Sequence, residues 1–177
     1  MSKTLEKLLA LHSSPAICGI KPSNLICIDY DEEIYKEIEE LNKSYPKLCF
    51  YILKKTENKV LILVYRKQIF ERLLNKIEYI NYLNNLGYDT SSINSMLEDL
   101  KERLLYDDFP HEIGVFLGYD LDDIKSYIDG KKCIYVGYWK VYSRLNEKLQ
   151  IFNKYTKCRE CVINLISKGF PIENFMR

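Results

Sequence analysis

Two β-branched and aromatic runs with a short polar segment between them restrict the possible folds of this chain more than any other part of its sequence. The first run covers residues 48–54, the second covers 60–65, and the polar residues 55–59 separate them. Strand-forming runs joined by so short a polar segment form neighbouring antiparallel strands. The middle of the chain is therefore predicted to be a β-hairpin.

Apolar residues at helical spacing predict helices on both sides of this hairpin. The predicted helices lie at 1–11, 34–45 (capped by Asp31), 69–87, 93–104, 120–128 and 145–165. Two more apolar runs, at 24–29 and 133–142, predict further strands. This order is typical of an α+β fold, with a small, mainly antiparallel sheet of about four strands packed against several amphipathic helices. A chain of 177 residues fits a single domain, 1–177.

Two segments, 86–97 and 117–128, resemble each other because each contains LGYD followed by a helical pattern. Gly87 and Gly118 suit the left-handed position after a helix, and Asp89 and Asp120 suit the cap of the next helix. Shared turn chemistry explains this repetition better than a duplicated unit. A DNA-reading helix-turn-helix is disfavoured because the second segment is rich in aspartate, which would repel phosphate.

The charge balance narrows the classes of function. Lys and Arg number 26 against 25 Asp and Glu, for a formal net charge of +1. Nucleic-acid binding depends on a clustered basic surface, so this function is disfavoured. The chain has no apolar stretch long enough for a membrane span and no signal-peptide pattern at its start. With six cysteines in apolar surroundings, expected to be reduced, it is predicted to be cytoplasmic and without membrane contact.

Two histidines, His12 and His111, are the side chains best suited to move protons near neutral pH. Each lies beside a proline-bearing turn. Glu112 follows His111 at an expected helix start, for which Asp107 or Asp108 would be the cap. A functional group and a hydrogen-bond partner that stabilises the turn are equally good interpretations of each histidine.

The other chemical motifs are weak. Cys158-x-x-Cys161 lies within the final predicted helix without a second pair at metal-binding spacing, which favours packing over zinc or redox chemistry. No Gly-x-Ser-x-Gly elbow surrounds Ser13 or Ser14, and no glycine-rich phosphate loop is present. The sequence identifies no cofactor and predicts no metal.

Cations at the ends of apolar runs are more informative. Lys21 precedes the first strand, Arg66 follows the second run of the hairpin, and Lys140 lies between Trp139 and Tyr142 in the segment GYWKVY. Arginine offers a rigid fork for a carboxylate or phosphate, and lysine offers a movable point charge. If these side chains converge, they form an anion pocket; otherwise they solvate the strand ends.

Three parts of the chain together resemble a known family: HSSPAICGIKPSNL at 12–25, LVYR at 63–66, and FPHEIGVFLGYDLDDI at 109–124 followed by GYWKVY at 137–142. They are similar to the bacterial domain-of-unknown-function family 3793, found mainly in anaerobic Firmicutes, over nearly the whole chain. Ser13 stands where many relatives carry cysteine, which argues against a thiol-based role. The resemblance implies no activity, but it groups residues within family motifs: His12, Lys21, Arg66, His111, Glu112, Trp139, Lys140 and Tyr142.

The leading hypothesis is a pocket that binds a small anionic ligand. Lys21 and Arg66 would hold the anion, and His111 with Glu112 would transfer protons. The alternative is a non-enzymatic interaction or regulatory module, in which an exposed Tyr/Trp face binds a protein partner or a second copy of the chain. Nucleic-acid binding and a metal site on His12, His111 and Glu112 are further alternatives.

Overall fold

Helices make up most of the structure, a computed structural model that describes residues 1–106 and 109–177. The helices are α1 (Lys3–Ile17), α2 (Glu32–Ser44), α3 (Lys67–Leu74), α4 (Ile77–Asn85), α5 (Ile93–Arg103), α6 (Ile113–Phe116), α7 (Leu121–Ile128) and α8 (Leu145–Ser167). The strands are β1 (Ser23–Asp29), β2 (Leu48–Lys55), β3 (Lys59–Arg66), β4 (Tyr135–Val136) and β5 (Lys140–Val141). A 3-10 turn, Ile172–Phe175, follows α8. The predicted α+β class is confirmed.

The main sheet has three antiparallel strands in the order β1-β3-β2. The predicted central hairpin, β2–β3, is confirmed, with Ile52 opposite Ile62 and a register shift directly after Ile52. Strand β1 pairs with the other edge of β3 and places Leu25 opposite Leu63. The most apolar strand therefore lies in the middle of the sheet.

Side chains of β3 alternate between two cores, as the pleat of a strand requires. Ile62 and Val64 pack with α1, α2 and the C-terminal half of α8. Leu63 and Tyr65 face the opposite core, to which α3 through α7 contribute. A third, smaller cluster joins the β4–β5 hairpin to the first half of α8 through Trp139 and Phe152.

The predicted strand at 133–142 is instead the tight hairpin β4–β5, separate from the main sheet. Gly137 lies in its turn, where the hairpin approaches α8 closely. A Cβ at this position would lie 2.2 Å from Cε2 of Phe152. The glycine therefore lets the chain reverse against the Phe152 ring, and the expected single strand becomes two short ones.

Two predicted helices have other bounds. Helix α1 continues to Ile17, so His12 is helical and does not lie in a turn. Pro15 has no backbone N–H to donate within the helix, and the following amide, that of Ala16, donates to Oδ1 of Asn24 at 3.1 Å. The helix therefore tolerates the proline. The predicted helix 69–87 is divided into α3 and α4 at Asn75 and Lys76, although no Gly or Pro marks that position.

The two LGYD turns follow the predicted chemistry in part. Gly87 and Gly118 have φ angles of +83° and +73°, as expected after a helix end. Asp120 caps α7 through the amide of Asp122, but Ser92 rather than Asp89 caps α5. The predicted caps Asp107 and Asp108 lie outside the described residues.

Among the described helices, none has the length and apolar character that crossing a membrane requires.

Candidate functional site

A cavity of about 270 Å³ opens where α6 and α7 meet the β4–β5 hairpin and strand β1; we call it the candidate pocket. Its lining is mainly apolar and aromatic: Leu25, Phe109, Ile113, Leu117, Tyr119, Ile124, Tyr127 and Trp139. His111, Asp123 and Lys140 are its polar members, and Gly114 completes the lining. A largely apolar cavity with few polar groups is the usual form of a small-molecule site.

Trp139 forms a rigid wall of the candidate pocket. Its ring stacks on Tyr119, with centroids 4.7 Å apart and planes 23° apart, and meets Phe152 edge-to-face at 4.5 Å. Its Nε1 donates to Oδ2 of Asp123 at 2.8 Å. Because the indole stacks on Tyr119, packs against Phe152 and donates its N–H to Asp123, the protein itself holds the ring in a fixed orientation.

Asp123, which the sequence placed only within an acidic helix, is buried and organises this wall. Besides Trp139, it accepts the backbone N–H of Tyr142 at 2.9 Å and Nζ of Lys148 at 3.0 Å. Lys148 also lies 2.8 Å from Asp120, and Arg144 pairs with Asp120 from the surface. We call these four charged residues the Asp123 ion cluster.

The cluster neutralises its own charges. Burial alone would raise the pKa of Asp120, but the hydrogen bond and positive charge of Lys148, together with the Asp122 amide and the charge of Arg144, lower this pKa below its ordinary value. Both carboxylate oxygens of Asp123 accept hydrogen bonds. Asp123 therefore holds the pocket wall in place and has little capacity left to accept bonds from a ligand.

The mouth of the pocket carries two polar groups that converge on one tyrosine. The His111 ring meets Tyr127 edge-on, with centroids 4.9 Å apart, and Nζ of Lys140 lies 4.8 Å from the centre of the same ring. Both polar side chains are exposed. Within residues 1–106 and 109–177, Lys140 forms no salt bridge.

A family model described as "Protein of unknown function (DUF3793)" matches residues 9–176. The chain belongs to the DUF3793 family. The resemblance carried by the motif segments is therefore confirmed at the level of the family. No curated protein and no solved structure matches the chain.

Three predicted site residues of this DUF3793 protein meet in the candidate pocket: His111, Trp139 and Lys140. Tyr142 contributes indirectly, because its backbone amide holds Asp123. His12 is exposed on α1 and does not line the pocket. The sequence therefore singled out His111 and two residues of the β4–β5 hairpin segment, but not the rest of the pocket lining.

Arg66 lies outside the pocket and binds backbone carbonyls. Its Nε donates to Ile17 at 2.8 Å, Nη1 donates to Arg177 at 3.2 Å, and Nη2 donates to Phe175. These bonds fasten the end of β3 to the end of α1 and to the C-terminal turn. The guanidinium predicted to hold an anion thus has a structural role in the fold.

Glu112 follows His111 in sequence but makes its contacts elsewhere. Its Oε1 accepts the Tyr88 hydroxyl at 3.0 Å and Nη1 of Arg103 at 3.3 Å, in a largely buried position. The Arg103 guanidinium also lies 4.3 Å from the centre of the Tyr88 ring. Glu112 is not part of the pocket lining, and its pairing with His111 for proton transfer stays a prediction.

Lys21 is buried beside the pocket, behind one of its walls. Only 3% of the residue is exposed, and Nζ lies 5.5 Å from the ring centre of Tyr119 and 5.9 Å from that of Tyr155. Burial lowers the pKa of Lys21 to about 8. The joint anion-holding role of Lys21 and Arg66 stays a prediction.

Metal binding gains no support from the arrangement of ligands. In the described part of the chain, no three His, Cys, Asp or Glu side chains are close enough together to hold a metal ion. The alternative site on His12, His111 and Glu112 is accordingly not assembled there.

Proposed function

We propose that this protein binds a small organic anion with an apolar body in the candidate pocket. The observation that carries the proposal is the convergence of Lys140 and His111 on Tyr127 at the mouth of an apolar cavity. The ligand's apolar part would contact Trp139 and Tyr119, and its negative charge would lie at the mouth, near the Lys140 ammonium.

The polarity of the pocket favours an anion over a cation. Asp123 is the one carboxylate in the described lining, and both its oxygens accept protein donors. The Lys140 ammonium brings three N–H donors, and His111 can donate from its ring. Ligand groups that accept hydrogen bonds or carry negative charge would be recognised, whereas a cation would meet repulsion from Lys140.

Acid–base chemistry on the bound ligand is part of the same proposal. His111 is the described pocket side chain that can exchange a proton near neutral pH. Its place at the mouth, against the Tyr127 ring, would let it exchange a proton with an anionic substrate. Because Glu112 is bonded to Tyr88 and Arg103, His111 would act here without a carboxylate from its neighbour.

Calorimetric titration with two matched ligands tests the proposal. Indole-3-acetate and indole-3-acetamide share a ring, but only the first is charged. We expect the acid to bind about tenfold more tightly than the amide, and Lys140→Met to remove this difference. Lys125→Met is the matched control, because Lys125 is also exposed beside a tyrosine, 5.5 Å from the ring centre of Tyr82, but lies outside the pocket lining.

Equal binding of acid and amide would contradict the proposal, as would a loss of affinity in Lys125→Met as large as that in Lys140→Met. Absence of binding by both indoles would equally count against a pocket for apolar anions. Circular dichroism of each variant checks that the fold is intact.

A second candidate function, a protein-interaction module, is favoured by the β4–β5 hairpin. Ile134 and Val136 are 56% and 65% exposed, and Tyr135 between them is 42% exposed. Contiguous exposed apolar side chains are typical of a contact surface. Size-exclusion chromatography with light scattering tests self-association: a dimer mass that Val136→Lys reduces to a monomer mass would support this function, and a monomer at every concentration would exclude a homo-oligomer.

A cytoplasmic location belongs to the same proposal. All six cysteines are free thiols, as expected in a reducing compartment, although Cys27 and Cys161 are exposed rather than in the core. Nucleic-acid binding stays disfavoured because the net charge is close to zero.

A further inference from the structure

A second cavity, of about 330 Å³, lies between the β4–β5 hairpin and one face of α8; we call it the hairpin groove. Its lining comes from both elements: Tyr135, Gly137 and Tyr138 in the hairpin, and Phe152, Thr156 and Arg159 in α8. The three α8 residues recur at helical spacing, so they lie on one face of the helix. None of these residues is among the described lining of the candidate pocket. The groove is therefore a separate site.

Aromatic rings form the apolar part of the hairpin groove. The Phe152 ring stacks on Tyr135, with centroids 6.4 Å apart and planes 27° apart, and lies 5.5 Å from the Tyr138 ring. Gly137 leaves space between these rings, because a Cβ there would lie 2.2 Å from Phe152 and 3.1 Å from Tyr135. Tyr135 is 42% exposed. Its ring therefore offers a surface on which a planar ligand can stack.

Arg159 supplies the groove with a positive charge. The residue is partly buried, and its guanidinium carbon lies 5.8 Å from the ring centre of Tyr138. Within residues 1–106 and 109–177, it forms no salt bridge. Arg66, Arg103 and Arg144, by contrast, donate to oxygens of the protein. The described lining of the groove contains no carboxylate, so its charge favours an anion.

Two hydroxyl groups add a further donor. Oη of Tyr138 and Oγ1 of Thr156 lie 3.2 Å apart and share one hydrogen bond. Whichever hydroxyl donates in this bond, the other keeps its proton for a ligand. The groove thus combines a guanidinium fork with a hydroxyl proton. A phosphate group, with three strong acceptor oxygens, matches this set of donors.

We propose that the hairpin groove binds a small molecule in which a planar ring carries a phosphate group, such as a mononucleotide. The ring stacks on Tyr135, and the phosphate accepts hydrogen bonds from Arg159 and from the Tyr138–Thr156 hydroxyl pair. The volume of the groove lies within the range of small-molecule pockets. This site goes beyond the anion site at Lys140, with which it shares no lining residue.

Calorimetric titration with adenosine 5′-monophosphate and with adenosine tests the proposal. The two molecules share base and ribose, and only the first is charged. We expect the nucleotide to bind at least about tenfold more tightly than the nucleoside, and Arg159→Met to remove this difference. Lys157→Met is the matched control, because Lys157 is an exposed cation of the same helix outside the groove lining.

Tyr135→Ala provides a second variant at an exposed position, so the test does not depend on the folding of Arg159→Met alone. Loss of the stacking surface should weaken nucleotide binding by about tenfold. Circular dichroism checks the fold of each variant. Unchanged nucleotide affinity in Tyr135→Ala would overturn the proposal.

Equal affinity of the nucleotide and the nucleoside, or binding of neither, would also overturn the proposal. The same holds if Lys157→Met removes the preference for the nucleotide as fully as Arg159→Met. A preference that Lys140→Met removes and Arg159→Met retains would assign the nucleotide to the candidate pocket and contradict a site in the groove. The indole titration depends on Lys140 and this titration depends on Arg159, so either proposal can fail without the other.

Discussion

Lys21 and Lys148 are equally buried, but only Lys148 has carboxylates that compensate its positive charge. Lys148 lies in the Asp123 ion cluster, within ion-pairing distance of two carboxylates. Lys21 has the rings of Tyr119 and Tyr155 beside it and no described carboxylate. Aromatic rings attract a cation less strongly than carboxylates in a desolvated site, so the folded state tolerates the charge of Lys21 poorly.

This difference distinguishes charged groups that stabilise the fold from charged groups that have no partner in the protein. The Asp123 ion cluster satisfies its own charges and in doing so fixes Trp139 in the pocket wall. Lys21, behind Tyr119, and Lys140, at the pocket mouth, have no salt-bridge partner among the described residues. Charged groups without partners inside a fold are frequent at functional sites.

The largest effect is expected when the cluster loses its cation. Lys148→Met leaves Asp123 buried with an uncompensated negative charge, and we expect the free energy of unfolding to fall by about 3–5 kcal/mol. Urea unfolding followed by circular dichroism at pH 7 measures this loss. Lys154→Met, at an exposed position of α8, is the control and should change stability by less than about 0.5 kcal/mol. A loss below about 1 kcal/mol in Lys148→Met would show that the cluster is not a structural ion pair.

The same substitution at Lys21, Lys21→Met, should instead raise the free energy of unfolding. Its pKa is about 8 in the folded protein and 10.5 in its ordinary environment, so the folded state disfavours the ammonium. Lys21→Met removes this penalty, and we expect a gain of about 3 kcal/mol at pH 7.

The pH dependence provides a second test at Lys21. Between the two pKa values the unfolded chain binds more protons than the folded one, so wild-type stability should rise with pH from about 8 to 10.5. The difference between wild type and Lys21→Met should shrink through the same window and be constant below it. The prediction would be contradicted if Lys21→Met were less stable than wild type at pH 7, or if the stability difference between the two proteins did not change with pH.

Substitution of Arg66 tests whether a cation that donates its hydrogen bonds to backbone carbonyls stabilises the fold. Arg66→Met removes three hydrogen bonds to backbone carbonyls, and we expect a loss of about 2 kcal/mol, since the side chain is only partly buried. Indole-3-acetate affinity should stay unchanged in the calorimeter. A loss of indole-3-acetate affinity with little loss of stability would instead support the predicted anion-holding role of Arg66. Arg72→Met, at an exposed position of α3, is the matched control for stability.

The smallest expected effect is at His111. His111→Asn should weaken indole-3-acetate binding by about fivefold, near 1 kcal/mol, and leave the unfolding free energy within about 0.5 kcal/mol of wild type. His12→Asn is the control, because His12 is the other histidine of the chain and is exposed outside the pocket lining. If the two substitutions changed the affinity equally, His111 would not be part of the ligand site.

Sequence patterns predicted the parts of the fold that depend on local periodicity. The hairpin β2–β3 and strand β1 follow from β-branched runs with polar ends, and α8 follows from its apolar stripe. The break between α3 and α4 and the reversal at Gly137 depend on packing against distant side chains, such as Phe152, which no local pattern contains.

The candidate site was predictable only where the residue type itself suggested a function. His111, Trp139 and Lys140 were singled out in the motif segments for this reason, whereas Asp123, which lies in the same segment 109–124 as His111, was counted only among the aspartates of an acidic helix. A signal for Asp123 did exist. Lys148 lies on the apolar stripe of α8 between Leu145 and Phe152, and a buried charge is usually paired, so a cation on this stripe points to a buried anion.

Titration of the Lys21 ammonium by nuclear magnetic resonance is the most direct test of the central claim that this buried charge has no counter-ion. Side-chain signals of ¹⁵N-labelled lysine, with Lys21 assigned by its absence in Lys21→Arg, report protonation of Nζ as the pH is raised. The account predicts a midpoint near pH 8 for Lys21. A Lys21 signal that remains that of an ammonium up to pH 10 would contradict it.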